Sequence, residues 1–328
     1  MTSTIILFLI GGFTFLVIGG ELLVRGAVQV AARLGVSPLV IGLTLVGFGT
    51  STPELVTSVQ AALSGSPGIA YGNIVGSNIA NILLILGISA VLTPILITSN
   101  ALKRDSAVMV SAAILFALIA AFMPLGQGVG AVFVAALAGY ILLAFRQEQR
   151  RNTADHGAAY GKGIAVQKAD PALAPAAALN RPIAISLFIA LVGLGLVVLG
   201  GYLFVNGAVG LARFLGISET VIGLTIVAVG TSMPELVTSV MAALRKETDV
   251  VFGNIVGSNI YNILGIGGMT ALISPTTVPE AIVGFDNIVM VAISVLLVAL
   301  AYTGMRINRL EGGLLVAGYV GYLAWLWP

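Results

Sequence analysis

The residues best suited to chemistry in this sequence are two glutamates, each directly after a proline in a nearly identical stretch. GTSTPELVTSV at 49–59 returns as GTSMPELVTSV at 230–240, and ten of the eleven letters match. Proline cannot continue a helix that precedes it, and it disfavours helical backbone at the residue before it. We therefore expect a helix to break near residues 49–52 and to restart at Pro53, with Glu54 in the first turn of the new segment.

A helix break of this kind exposes several kinds of oxygen atom. Backbone carbonyls near Gly47 lose their helical partners, while Ser51 and Thr50 lie three and four residues before Glu54 and share its side of the helix. Carboxylate, hydroxyl and carbonyl oxygens are hard ligands, which suit Ca²⁺ or Na⁺ better than the softer transition metals. The motif therefore predicts a cation site.

A second polar motif is duplicated without any change. GNIVGSNI occurs at 72–79 and again at 253–260, and an offset of 181 residues relates the copies of both motifs. Ser77 and Asn81 lie four residues apart, so they share one face of a helix that contains no proline at this point. Their hydroxyl and amide oxygens add to the hard ligands of the first motif.

The composition indicates a polytopic membrane protein. Of 328 residues, 58% are hydrophobic and 9% are charged, whereas soluble domains are about a quarter charged. Lipid must therefore replace water around most of the surface. The net charge of +2 is too small to favour nucleic acid, and a chain without cysteine has no disulfide, thiolate metal site or cysteine nucleophile. The apolar run from Ile5 to Val24 is expected to be a retained first helix and not a cleaved signal peptide.

Hydropathy and charge predict ten membrane spans. Their expected bounds are 4–24, 38–63, 69–92, 105–123, 127–145, 183–208, 219–244, 250–273, 286–303 and 312–327. Residues 146–182, between the fifth and sixth spans, are rich in alanine, glycine, proline and charge, and predict a flexible linker. If both termini lie outside, 14 of the 15 lysines and arginines fall in cytoplasmic connections, the linker included, and only Arg213 does not. This asymmetry satisfies the positive-inside rule.

The gap-free offset of 181 residues divides the chain into two five-span repeats, residues 1–145 and 183–328. Because five is an odd number, the second repeat must enter the membrane upside down relative to the first. The predicted fold is an all-α polytopic membrane protein of ten transmembrane helices in two inverted-topology repeats. In this architecture the binding site lies near the midplane, where the repeats meet.

The two glutamates need partners inside the membrane. A charged side chain costs about 3 kcal/mol or more at the membrane centre, and no lysine, arginine or histidine lies in the centre of a predicted span. We therefore expect Glu54 and Glu235 to be balanced by each other, by protons or by a bound cation. Their combined charge would be cancelled by one Ca²⁺, two Na⁺ or two protons.

Taken together, GTSTPELVTSV…GNIVGSNIANI and GTSMPELVTSV…GNIVGSNIYNI resemble the paired alpha-repeats of the cation/calcium exchanger superfamily, in particular its prokaryotic sodium/calcium exchanger branch. The likeness covers nearly the whole chain. It implies an antiporter in which broken helices 2, 3, 7 and 8 enclose the cations. The ligands that the resemblance implies are Glu54, Glu235, Thr50, Thr231, Ser51, Ser232, Asn81, Asn262, Ser77 and Ser258, with the carbonyls of Gly47 and Ala228.

The chain departs from this family at two positions. Sodium/calcium exchangers often place an aspartate in one repeat where this chain has Asn81 or Asn262. With two carboxylates in a low-dielectric site, three Na⁺ would leave one positive charge unbalanced. Exchange of two Na⁺ for one Ca²⁺, or of Ca²⁺ for protons, is therefore favoured. We expect no cofactor besides the transported ions, a location in the plasma (inner) membrane, and a monomer that suffices for transport.

Other functions fit the pattern less well. A passive cation channel usually builds its pore on an axis between subunits, whereas an inverted repeat within one chain favours alternating access. An intramembrane enzyme could use two carboxylates as acid and base, but no nucleophile–base pair accompanies them, so we expect no enzyme. A purely structural role for Glu54 and Glu235 leaves their duplicated shell of hydroxyls unexplained.

Three further polar residues lie away from the motifs. Asp105 and Asp286 repeat at the offset of 181 residues near span ends, where we expect helix caps or surface ion pairs. His156 is the only histidine and falls in the linker, where we expect it to be solvated.

Overall fold

The computed structural model describes residues 2–97, 100–150, 156–169, 182–303 and 305–327, which are almost entirely helical. The helices are α1 (Thr2–Arg33), α2 (Leu39–Gly49), α3 (Thr52–Leu63), α4 (Pro67–Leu92), α5 (Asn100–Phe122), α6 (Gln127–Arg150), α7 (Ala158–Ala169), α8 (Ile183–Leu215), α9 (Glu219–Thr231), α10 (Met233–Leu244), α11 (Thr248–Ile273), α12 (Ile282–Tyr302) and α13 (Arg309–Leu326). Two short strands, β1 (Ile95–Leu96) and β2 (Arg306–Ile307), pair antiparallel.

Seven of the described helices are long and apolar enough to cross a membrane alone, and two bent helix pairs raise the number of candidate spans to nine. Helix α13 has 18 residues and lies where the sequence predicts the tenth span. The bent pairs are α2 with α3, at 51°, and α9 with α10, at 48°. Both bends fall where the duplicated motif predicts them, because Pro53 and Pro234 each stand in the first turn of the second helix.

The third and eighth predicted spans are not broken, contrary to the expectation from the resemblance. Helices α4 and α11 each continue over 26 residues. Each helix instead widens into a π-helical segment, at Asn81–Leu86 and at Tyr261–Gly267. Since neither segment contains a proline, the backbone keeps its hydrogen-bond ladder and changes only its pitch.

Helices α4 and α11 form the centre of the molecule. In their most apolar stretches, 83% and 94% of the residues are buried, whereas the corresponding figure for α1 and for α8 is 28%. Helices α1 and α8 therefore lie at the periphery, where they pack against each other along their length. The two duplicated polar motifs thus occupy the most enclosed helices and the bent helices beside them.

Small residues allow α1 and α8 to pack closely. A methyl group added at Gly193 would lie 2.3 Å from the backbone nitrogen of Leu23, whereas one at Gly195 would meet no described atom within 4 Å. We expect Gly193→Ala to lower the thermal unfolding midpoint by several degrees, because overpacking costs about 1–3 kcal/mol. The matched variant Gly195→Ala should leave the midpoint unchanged or raise it, since alanine favours helix. Equal midpoints for the two variants would contradict this close packing.

The linker is not flexible throughout, contrary to its composition. Residues 158–169 form helix α7, and most of its residues are buried against α2, α10 and α11. Alanine and glycine are abundant in flexible linkers, but they are also the residues that let helices approach closely. Composition alone therefore does not distinguish a flexible linker from a closely packed helix.

Asp105 and Asp286 are buried, whereas we expected them at the surface. Asp105 forms the expected ion pair, because Arg104 Nε donates to its Oδ1 at 2.8 Å. It also acts as a cap, because its Oδ2 accepts a hydrogen bond of 2.6 Å from the backbone N–H of Ala158 at the start of α7. Asp286 accepts a hydrogen bond of 2.8 Å from the Tyr322 hydroxyl. His156 is 43% exposed and also has polar contact, since its Nδ1 lies 2.8 Å from Glu148 Oε2.

Candidate cation site

Two buried glutamates define the candidate site. Glu54 and Glu235 are 2% and 1% exposed, and each lies in the first turn after a bend. The hydroxyl of Ser232 donates to Glu54 Oε1 at 3.0 Å, and the hydroxyl of Ser51 donates to Glu235 Oε1 at 3.4 Å. Each serine therefore bonds to the glutamate of the other repeat. This crossed pairing brings the two bends together.

Several buried oxygen atoms at the site lack a hydrogen-bond donor within the part of the chain that the structure describes. They are Glu54 Oε2, Glu235 Oε2, Asn81 Oδ1 and Asn262 Oδ1. Burying an acceptor without a donor costs about 1–3 kcal/mol, and more when the acceptor is charged. Carboxylate and amide oxygens in this condition are the hard ligands that Ca²⁺ and Na⁺ prefer. The arrangement therefore fits a bound hard cation.

A polar cluster at the last turn of α9 brings together three more of the predicted residues, Ser77, Ala228 and Thr231. The hydroxyl of Ser77 donates to the carbonyl oxygen of Ala228 at 3.4 Å. The single hydroxyl proton of Thr231 is directed to Asn73 Oδ1 at 2.9 Å, and the Thr231 oxygen lies 3.4 Å from the Ala228 carbonyl. The Ala228 carbonyl thus already has a donor in this conformation, and Gly47, its counterpart in α2, is buried near the Tyr261 hydroxyl of α11.

Two asparagines that we did not predict as site residues brace the bent helices. Asn73 Nδ2 donates to Ser58 Oγ at 2.9 Å and to the Glu54 carbonyl at 3.2 Å. Asn254 Nδ2 donates to Ser239 Oγ at 2.8 Å and to the Glu235 carbonyl at 3.3 Å. These bonds hold the first turn of each restarted helix against α4 or α11. The signal was available, because both residues belong to the duplicated GNIVGSNI motif.

Other asparagines of α4 and α11 join these two central helices. Asn81 Nδ2 donates to Asn259 Oδ1 at 2.9 Å, and Asn259 Nδ2 donates to the Asn78 carbonyl at 3.4 Å. Asn262 is buried in α11, at 2% exposure. The amide oxygens of Asn81 and Asn262 therefore face the interior without donors, while the neighbouring amides hold α4 to α11.

A lysine from the linker reaches the site, contrary to the expectation that no basic side chain would pair with the glutamates. Lys162 of α7 is fully buried, and its Nζ lies 3.2 Å from Glu235 Oε1. It also donates to Thr50 Oγ1 at 2.9 Å and to Ser258 Oγ at 2.6 Å. Lys162 lies in the predicted linker, outside the spans in which the sequence indicates partners for the glutamates.

Similar proteins are found over the full length of the chain. A family model described as "Sodium/calcium exchanger protein" matches residues 4–146 and 185–327. The putative antiporter CaxA of Alkalimonas amylolytica is 36% identical, with 96% of each chain covered. The sodium/calcium exchanger MaX1 of Methanosarcina acetivorans is also 36% identical, with 98% of each chain covered.

A solved structure agrees with the sequence comparisons. The sodium-calcium exchanger NCX_Mj, soaked with 10 mM Na⁺ and zero Ca²⁺, is 31% identical and has a TM-score of 0.62, with 99% of both chains covered. The family model spans both halves of the chain, and both duplicated motifs lie inside the matched segments. The chain therefore belongs to the sodium/calcium exchanger family, whose members are membrane transporters.

Proposed function

We propose that this protein exchanges Ca²⁺ for Na⁺ across the membrane by alternating access, with the cations bound between Glu54 and Glu235. The observation that carries the proposal is the pair of buried carboxylates, each with one oxygen that has no donor among the described residues. Two such groups on crossed, bent helices are expensive to maintain unless a cation binds them. Exchanger relatives with both ions in their names support the choice of Ca²⁺ and Na⁺.

The proposed ligand set keeps all twelve residues from the sequence. The carboxylates of Glu54 and Glu235 supply the charge, and oxygens from both bent helices and both central helices complete the coordination. The contributing residues besides the glutamates are Thr50, Ser51, Ser77, Asn81, Thr231, Ser232, Ser258 and Asn262, with the carbonyls of Gly47 and Ala228. In the conformation described here several of these oxygens bond to one another or to Lys162, so cation binding requires them to exchange partners.

The second candidate is Ca²⁺/H⁺ exchange through the same site. It is favoured by the amides at Asn81 and Asn262, which leave two carboxylates that two protons would neutralise as well as one Ca²⁺. The name of the relative CaxA, a putative antiporter, states no counter-ion and so does not distinguish Na⁺ from H⁺. A passive channel is disfavoured, because membership of an exchanger family and the enclosed, buried site both point to coupled transport.

The proposed architecture is that of the sequence prediction. Residues 1–145 and 183–328 form two inverted five-helix repeats, with α13 as the tenth span, and residues 146–182 connect them. Both termini face outward and the connection faces the cytoplasm, as the distribution of lysine and arginine indicates. The crossed bonds between Ser51 and Glu235 and between Ser232 and Glu54 support a pseudo-twofold relation at the site.

The counter-ion is tested by Ca²⁺ uptake into proteoliposomes that contain the purified protein. We expect an outwardly directed Na⁺ gradient to drive uptake, and the same K⁺ gradient to serve as a matched control without effect. Uptake driven by a proton gradient and not by Na⁺ would select the second candidate. Uptake that follows the Ca²⁺ gradient alone, whatever the other ions, would contradict exchange and favour a channel.

A further inference from the structure

Helix α7 has no role in the proposed exchange cycle. It lies outside both segments that the family model matches. Yet Lys162 of this helix is among the largest fully buried side chains, and it bonds to residues of the candidate cation site. A buried lysine that reaches the site from outside the two repeats requires its own explanation.

The ammonium group of Lys162 occupies a position that suits a cation. An ammonium group has three N–H donors and no acceptor, and each of its three contacts is an oxygen: Thr50 Oγ1 from α2, Glu235 Oε1 from α10 and Ser258 Oγ from α11. All three acceptors are among the residues predicted from the sequence as cation ligands. The ring of Tyr261 adds a face at 5.9 Å from Nζ to the ring centroid.

Ca²⁺ cannot bind the same oxygens while the lysine remains. Two positive charges within a few ångströms of each other repel strongly in a site shielded from water. If Glu235 bound Ca²⁺ and Lys162 stayed buried, the lysine ammonium would be a buried charge without its carboxylate partner. We therefore expect Glu235 to bind either a cation or Lys162, but not both.

Glycines bring α7 close enough for the lysine to reach the site. A methyl group added at Gly163 would lie 2.5 Å from the carbonyl oxygen of Gly42, and one added at Gly161 would lie 3.1 Å from Cα of Gly253. The start of the helix is also held. Glu148 Oε1 accepts from the Gly157 N–H at 3.0 Å before the first turn, beside the Asp105 cap described above. This fit indicates a built docking position for α7.

Helix α7 also borders a cavity beside the site. The cavity has a volume of about 480 Å³ and lies between α1, the bend before α3, and α10, and Thr50 is among its lining residues. Val166 and Ala169 of α7 form part of its wall. Withdrawal of α7 would therefore join this cavity to the oxygens that Lys162 now occupies.

We propose, on the basis of the exchange function proposed above, that α7 is an autoinhibitory plug whose Lys162 ammonium substitutes for the transported cation. With the plug inserted, the carboxylate of Glu235 is balanced and the site is closed on the linker side. A cation that enters from that side must displace the lysine, and α7 leaves its docking position. The plug thus sets the cation concentration at which transport begins.

The proposal is tested by Ca²⁺ titration calorimetry on the full-length purified protein in a sodium-free buffer. If the plugged state accounts for about nine molecules in ten, Lys162→Gln lowers the apparent Ca²⁺ dissociation constant on the order of tenfold. Gly161→Leu, which keeps the lysine but pushes α7 from α11, should have the same effect. Lys246→Gln removes the same charge from an exposed position outside α7, and should leave the constant unchanged.

A second readout follows the helix itself. Saturating Ca²⁺ should increase amide hydrogen exchange in residues 158–169 of the parent protein, because the plug is displaced. Equal Ca²⁺ affinity in the parent, Lys162→Gln and Gly161→Leu, with unchanged amide protection when Ca²⁺ is bound, would overturn the plug and leave the exchange function standing. Absence of Ca²⁺ binding in all of these proteins would overturn the exchange function, and the plug with it.

Discussion

Replacing Glu54 with glutamine is expected to abolish Ca²⁺ transport and leave the protein folded. Glutamine keeps the shape of the side chain and an oxygen that accepts from Ser232, but it removes one of the two buried carboxylates of the site. Loss of a buried charge partner costs about 3–5 kcal/mol, which corresponds to a loss in cation affinity on the order of a hundredfold or more. Glu235→Gln should also abolish transport, because Glu235 is the other buried carboxylate of the site and accepts from Ser51 of the first repeat.

The measurement is initial Ca²⁺ uptake into proteoliposomes, normalised to the amount of folded protein recovered by gel filtration. Glu219→Gln is the matched control, because Glu219 is a partly exposed carboxylate in the first turn of α9, outside the polar cluster. The control should transport at the rate of the parent. Parent-like exchange by Glu54→Gln or by Glu235→Gln would mean that the cations bind elsewhere.

Transport by the parent is expected to depend little on membrane voltage. Once Lys162 has left, the site carries the two charges of its glutamates, which one Ca²⁺, two Na⁺ or two protons cancel equally. Moving one net charge per cycle across 100 mV would contribute about 2.3 kcal/mol, and would shift the equilibrium Ca²⁺ ratio about fiftyfold. We therefore expect the ratio at a clamped potential of 100 mV to stay within about twofold of its value at zero potential.

Asn262→Asp tests the same charge count from the other direction. The amide oxygen of Asn262 is buried and has no donor within the described residues, so an aspartate there would add a third carboxylate to the site. This variant should become voltage-dependent or acquire a new pH dependence, since a third charge admits one more Na⁺ or a proton. A strongly electrogenic parent would contradict the charge count.

The helical pattern was largely predictable because its causes are local. The long apolar runs, and the prolines that follow Thr52 and Met233, place the candidate spans and both bends close to where the structure has them. Helix α8 extends to Leu215, beyond the predicted end at residue 208, and ends where Gly216 adopts a left-handed conformation. The π-helical segments of α4 and α11 were not predictable, since π-helix depends on how neighbouring helices pack and not on a residue type.

The membership of the cation site stays a prediction from the sequence, whereas the bonding among its proposed residues could not be predicted. The residue types near each bend indicate hard oxygen ligands, yet only the fold shows that Ser51 donates to Glu235 and not to the nearer Glu54. Lys162 lay beyond sequence reasoning for a different reason. It is 73 residues from Glu235 along the chain, in a segment whose alanines and glycines are typical of a flexible linker.

The most direct test of the central claim is trans-stimulation of ⁴⁵Ca²⁺ uptake by unlabelled Ca²⁺ inside the proteoliposomes. An antiporter with one alternately exposed site returns faster when its site is loaded, so the account predicts that internal Ca²⁺ accelerates uptake of the label several-fold without any Na⁺ or proton gradient. The acceleration should disappear in Glu54→Gln and in Glu235→Gln and should persist in Glu219→Gln. Uptake that is unaffected by internal Ca²⁺, or acceleration that survives in both site variants, would contradict exchange through the glutamate pair.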